Sequence, residues 1–126
     1  MAEIAAIAFC VLMGGLAVFQ GVLIAGAPLG RFAWGGQERV LSRGKRVGSA
    51  VSILLYVVFA VIVLERGNVV PTIGDPWIPA IGIWLLFAYF VLGVVMNALS
   101  RSRAERWTMA PLSLVLAALT FIVALS

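Results

Sequence analysis

Among the few polar residues within or at the ends of the long apolar stretches of this chain are Gln20, Ser49, Ser52, Tyr56, Tyr89, Asn97 and Ser100. Amide, phenol and hydroxyl groups in such surroundings have two uses. They bond one another between helices, at roughly 0.6 kcal/mol per bond, or they line a small polar pocket. Ser49, Ser52 and Tyr56 share one helical face, and Tyr89, Gly93, Asn97 and Ser100 share another. If the two faces meet, the polar groups gather toward one end of the apolar layer. No charged residue falls near the middle of a stretch, which counts against an ion-coupled pump. With no histidine, a His-ligated haem, a His-based zinc site and a Ser-His-Asp triad are excluded. Glu3, Glu65 and Asp75 sit at the ends of apolar stretches, and Glu38 and Glu105 sit among basic residues. No intramembrane carboxylate pair is therefore available. Cys10 is the only cysteine, so an internal disulfide and a CxxC pair are ruled out. Gly35 and Gly36 lack the Lys-Ser/Thr that follows the glycines of a phosphate-binding loop. No cofactor, metal site or enzymatic activity is expected.

The second set of chemically capable residues is cationic. Eight of the nine Lys and Arg residues fall in two short segments. The first holds Arg31, Arg39, Arg43, Lys45 and Arg46, and the second holds Arg101, Arg103 and Arg106. With Trp34 they are the candidates for contact with membrane lipid, anionic headgroups above all, or with a partner protein. They adjoin apolar stretches rather than covering a soluble face, so nucleic acid is not expected. Glu105 is expected to pair with Arg101 or to neutralise part of the other basic segment. Residues 26–37 combine turn formers with Phe32 and Trp34 and are expected to fold back toward the membrane interface.

The elements that must position these groups follow from composition. Hydrophobic residues make up 63% of the 126 positions and charged residues 11%, against roughly 45–50% and about 25% in a soluble domain. The chain is read as one membrane domain, 1–126. Four stretches reach the length needed to cross about 30 Å of hydrocarbon: about 4–27, 47–64, 77–99 and 107–125. The expected fold is all-α, four transmembrane helices in an antiparallel bundle. Both basic segments then lie on one side, and the positive-inside rule makes 28–46 and 100–106 cytoplasmic, with both termini outside. The first stretch is expected to remain, since its basic residues follow the apolar core instead of preceding it. Trp77 and Trp107 mark boundaries, and Pro111 is expected in the first turn or two of the fourth helix. A row of small residues, Ala6, Cys10, Gly14, Ala17, Gly21 and Ala25, suits either an internal helix contact or a homo-oligomer interface. A shorter row, Ser113, Ala117, Thr120 and Ala124, offers the fourth helix the same.

The segments Gly26-Ala-Pro-Leu-Gly-Arg-Phe-Ala-Trp-Gly-Gly-Gln37 and Asn97-Ala-Leu-Ser-Arg-Ser-Arg-Ala-Glu-Arg-Trp107, with Arg46-Val-Gly-Ser-Ala50 and Met109-Ala-Pro111, resemble a family of small bacterial four-helix integral membrane proteins. The resemblance implies the four-helix fold and a multi-pass place in a bacterial inner membrane, and carries no activity. Size and helix count are also similar to those of the small multidrug transporters, but their membrane-embedded glutamate in the first helix is missing here. The expected function is that of a non-enzymatic accessory or structural protein whose basic cytoplasmic face meets lipid headgroups or a partner. A small oligomeric transporter or channel, lined by Gln20, Tyr56, Tyr89 and Asn97, is the alternative. A lipid-modifying enzyme is a second alternative, with Arg101, Glu105 and Arg106 as its headgroup-binding residues.

Overall fold

The computed structural model describes residues 1–71 and 73–126. It contains four α-helices, α1 (Ala2–Ile24), α2 (Arg43–Arg66), α3 (Trp77–Ala98) and α4 (Arg103–Ala124), with two short 3-10 turns, Gly30–Phe32 and Trp34–Gly36, between α1 and α2. The helices have 22 to 24 residues, or about 33–36 Å at 1.5 Å per residue, enough to cross a hydrocarbon core of about 30 Å. Each is also apolar enough to do so. Only 11–28% of the residues in their most apolar windows are buried. Most of their apolar side chains face outward, among them Ile4, Val11, Leu54, Leu85 and Leu92. Such a surface requires hydrocarbon around it, and the chain is a multi-pass membrane protein.

Local chemistry explains where the helices begin and end. The α1 helix stops short of residue 27 because Gly26 adopts φ +98° and closes it. Gly26 N–H donates to Leu23 O and Ala27 N–H to Val22 O, each at 3.1 Å, and Pro28 follows. Both α2 and α4 start one turn before their apolar stretches, after Ser42 and Ser102 in extended conformation. Arg43, Lys45, Arg46, Arg103 and Arg106 are therefore helical residues, not loop residues. Because α4 starts at Arg103, Pro111 lies in its third turn instead of its first or second, and the Trp107 carbonyl lacks its helical donor.

The helices form a ring in which α3 packs most on α4, and α1 on α2; α1 also meets α4, while α2 and α3 touch least of the adjacent pairs. The end of α2 meets the start of α1, where Gly67 packs so closely on Ala6 and the Ala2 carbonyl that a Cβ would lie 2.8 Å from Ala6 Cβ. It also meets the end of α4, where Arg66 donates to the carbonyls of Ala124 (3.2 Å) and Ser126 (2.6 Å) and satisfies groups that a helix C-terminus leaves open. The core fills this end and the middle. Phe9, Val63, Ile83, Leu116 and Val123 are almost fully buried, and Phe9 meets Phe90 edge to face at 5.6 Å. In the small-residue row of α4, Ala117, Thr120 and Ala124 are buried in that core. The row on α1 divides: Ala6 is buried, whereas Gly14 is exposed, and a Cβ at Gly14 or Gly21 would have no atom within 4 Å.

Candidate functional site

The other end of the bundle, which carries the basic residues, is hollow. A cavity of about 340 Å³ lies among the four helices, from Met13, Phe90 and Leu116 near the middle of the bundle to Trp34 and Glu105 at its basic end. Its place follows from how α2 and α3 meet. Ile62 packs at Gly82, and Phe59 meets Tyr89 and Phe90 with ring centroids 5.3 and 6.1 Å apart. From Phe59 toward Arg43, α2 contributes only Tyr56 to the lining, while Leu92 and Met96 of α3 both line the cavity and face outward at 60% and 63% exposure. The cavity therefore opens sideways between α2 and α3.

Its basic-end floor is residues 30–36, folded across the helix ends. Trp34, Gly35 and Gly36 take φ values of +53°, +77° and +71°, a left-handed run that glycine tolerates and that costs a residue such as Trp on the order of 1–3 kcal/mol. Three contacts hold the run. Trp34 Nε1 donates to Ser49 Oγ on α2 at 3.3 Å. Gly35 N–H donates to Glu105 Oε2 on α4 at 3.3 Å. Ser102 Oγ donates to the Arg31 carbonyl. The segment thus packs on the bundle itself rather than extending away from it.

The two polar faces make no hydrogen bond to each other among the described residues. Gln20 Nε2 on α1 donates to the Tyr56 hydroxyl on α2 at 3.2 Å. Asn97 Nδ2 on α3 donates to Ser113 Oγ on α4 at 3.1 Å, with Gly93 against the same serine. Each polar face meets the helix packed most closely on it, and both pairs line the cavity. Ser52 bonds within its own helix, to the Gly48 carbonyl at 3.0 Å. Ser100 is buried in the turn before α4, where its Oγ accepts from Ser102 N–H at 3.2 Å. Tyr89 lines the cavity but is 50% exposed. Ser113 was not among the residues expected to line a pocket, although its place at the head of the small-polar row of α4 was a usable signal.

Glu105 corrects an expectation. It is 7% exposed, turns inward onto Gly35 and lines the cavity. It pairs with no cation; among the described residues the single ion pair is Lys45 to Glu38 at 3.6 Å. The sequence signal that went unused is Ser102-x-x-Glu105, a helix-start pattern in which the glutamate would reach back to the cap residue. The serine half is present, with Glu105 N–H donating to Ser102 Oγ at 3.4 Å, but the carboxylate serves the neighbouring loop instead.

The basic residues divide by employment. Arg31 lies over the Phe32 ring at 4.9 Å. Arg46 donates to the Leu41 carbonyl at 2.9 Å, and Arg106 to the Ser100 carbonyl at 3.5 Å. Lys45 faces Glu38, whose carboxyl is held below the usual range by the Ser42 N–H and then by Lys45. Arg39, Arg43, Arg101 and Arg103 are exposed, and their guanidinium groups make no hydrogen bond or ion pair among the described residues. Arg101 also flanks a shallow depression formed by Gly35, Gly36, Gln37 and Ser102. Trp34 is 42% exposed, with its indole N–H turned inward to Ser49. Among the described residues, no three of Cys, Asp and Glu converge as metal ligands would. The chain matches no protein-family model, no curated protein and no solved structure.

Proposed function

We propose that this is a non-enzymatic accessory protein of the membrane that holds anionic phospholipid at the basic end of an antiparallel bundle. The observation that carries this reading is the set of guanidinium groups, on Arg39, Arg43, Arg101 and Arg103, that have no partner among the described residues. Glu105 accepts from Gly35 N–H and pairs with none of them, so its carboxylate leaves all four open. An anionic headgroup supplies the missing partners, at roughly 1 kcal/mol per basic residue near the surface, weakening as salt rises. The depression beside Arg101 gives a headgroup somewhere to sit.

Sidedness is part of the proposal. The positive-inside rule places the basic end in the cytoplasm and both termini outside. The contacts of Gly67 with α1 and of Arg66 with the end of α4 support alternating helix directions. The likeness of the two loop segments to small bacterial four-helix proteins supports a bacterial inner membrane.

The test is purification in mild detergent followed by mass spectrometry of retained lipid. The native chain is expected to carry anionic phospholipid above its share of the membrane. Arg39→Gln with Arg43→Gln, and separately Arg101→Gln with Arg103→Gln, are expected to lose that enrichment. Changing one pair at a time leaves six of the eight cationic residues of that end to keep its side. A native chain that retains no anionic lipid sinks the proposal.

A further inference from the structure

The cavity is chemically unbalanced. Of its polar groups, the Gln20 amide nitrogen is already used on Tyr56 and the Asn97 amide nitrogen on Ser113. Gln20 Oε1 is buried with no hydrogen-bond partner, in a residue only 9% exposed. The Asn97 amide oxygen receives no donor among the described residues. The Glu105 carboxylate accepts one long bond from Gly35 N–H and has no cation within 4 Å. Either orientation of the Gln20 amide leaves one of its polar ends unpaired, so the charge on Glu105 decides which kind of group the cavity lacks. A buried carboxylate is costly unless a cation or several donors reach it.

We propose that the cavity binds an ammonium group carried on an apolar body, admitted from the bilayer through the gap between α2 and α3. Its N–H donors reach Glu105 and the amide oxygens of Gln20 and Asn97. The aromatic rings of Tyr56, Phe90 and Trp34 line the same space and favour a cation over their faces. Met13, Leu16 and Leu112 line it too and receive the apolar body. The volume of about 340 Å³ is at the lower end of the range for ligand pockets, enough for an ammonium and a short length of chain, the rest remaining in lipid. An alcohol has a single donor and leaves the carboxylate unneutralised, and an anion is repelled by it. None of Arg39, Arg43, Arg101 and Arg103 lines the cavity. The same chemistry could come from a dissolved amphipathic amine or from an aminophospholipid headgroup. The proposal does not depend on the basic face: it concerns another surface, another ligand charge and other residues.

The experiment is calorimetric titration of the full chain in phosphatidylcholine nanodiscs with decylammonium and, as the neutral counterpart, decanol, empty discs being subtracted. Decylammonium is expected to bind saturably and decanol about tenfold or more weakly. Glu105→Gln keeps an acceptor for Gly35 N–H and removes the charge, and is expected to weaken decylammonium by about tenfold or more. Gln20→Leu, which leaves the loop untouched, is expected to weaken it several-fold. Glu38→Gln, an exposed acid outside the cavity, is expected to leave it unchanged. Repeating the titration with phosphatidylethanolamine in the discs separates the sources: competition identifies the aminophospholipid as occupant, and undiminished binding identifies a free amine. Equal binding of decanol and decylammonium, or equal binding by the native chain and both cavity variants, overturns the proposal.

Discussion

A methyl group added at Gly48 would stand 2.7 Å from Trp34 Cη2 and 2.9 Å from Cζ2, closer than carbon atoms in a folded chain approach. The indole cannot retreat without giving up Ser49 Oγ. Gly48→Ala is therefore expected to unseat the ring and to destabilise the fold by about 1–3 kcal/mol, the usual range for overpacking. Thermal unfolding in detergent together with iodide quenching of tryptophan fluorescence reads both effects, and a variant unchanged in both would show that the ring does not rest there. None of this was visible in Arg46-Val-Gly-Ser-Ala50 as a string of residues. A glycine near a helix start has several explanations, and its real one lies fourteen residues upstream in a left-handed stretch of backbone. The inward turn of Glu105 was hidden for a similar reason. Its partner, Gly35, is seventy residues away, whereas Arg101, with which it was expected to pair, is four residues away.

At the scale of elements, the apolar body of each helix was legible because a membrane span needs one long uncharged stretch, and hydropathy measures that directly. The starts of α2 and α4 were not, since a helix begins where its first N–H groups find acceptors and basic residues are good helix formers. Ser102 joins the two matters, capping α4 through Glu105 N–H and donating to the Arg31 carbonyl. Ser102→Ala is expected to weaken the first turn of α4 by about 0.5–2 kcal/mol and to loosen residues 30–36 with it. Hydrogen exchange should then quicken at residues 103–106 and at Gly35 together. Faster exchange at 103–106 alone would mean that the loop is held by other contacts. Which helix each polar face would meet was also beyond sequence. Periodicity shows that Tyr56 shares a face with Ser49, and says nothing of Gln20 standing opposite.

At the scale of the whole molecule, one residue offers a direct measure of sidedness, since Lys45 is the only lysine and its side chain is 26% exposed. Under the proposed orientation, a membrane-impermeant amine reagent applied to intact cells is expected to label the N-terminal amine and to reach Lys45 only after the membrane is opened. Lysine labelling in intact cells would reverse the orientation. The unequal filling of the two ends has a mechanical consequence. Pressed against α3 at Phe59 and Ile62, α2 has a fulcrum there and an arm of about 24 Å that reaches Arg43 and packs on α1 rather than on α3. A tilt of about 5° about that fulcrum carries the arm's tip roughly 2 Å. The Trp34 to Ser49 and Gln20 to Tyr56 bonds resist such a tilt by about 0.5–1.5 kcal/mol each, together with the packing of α1 on the same arm.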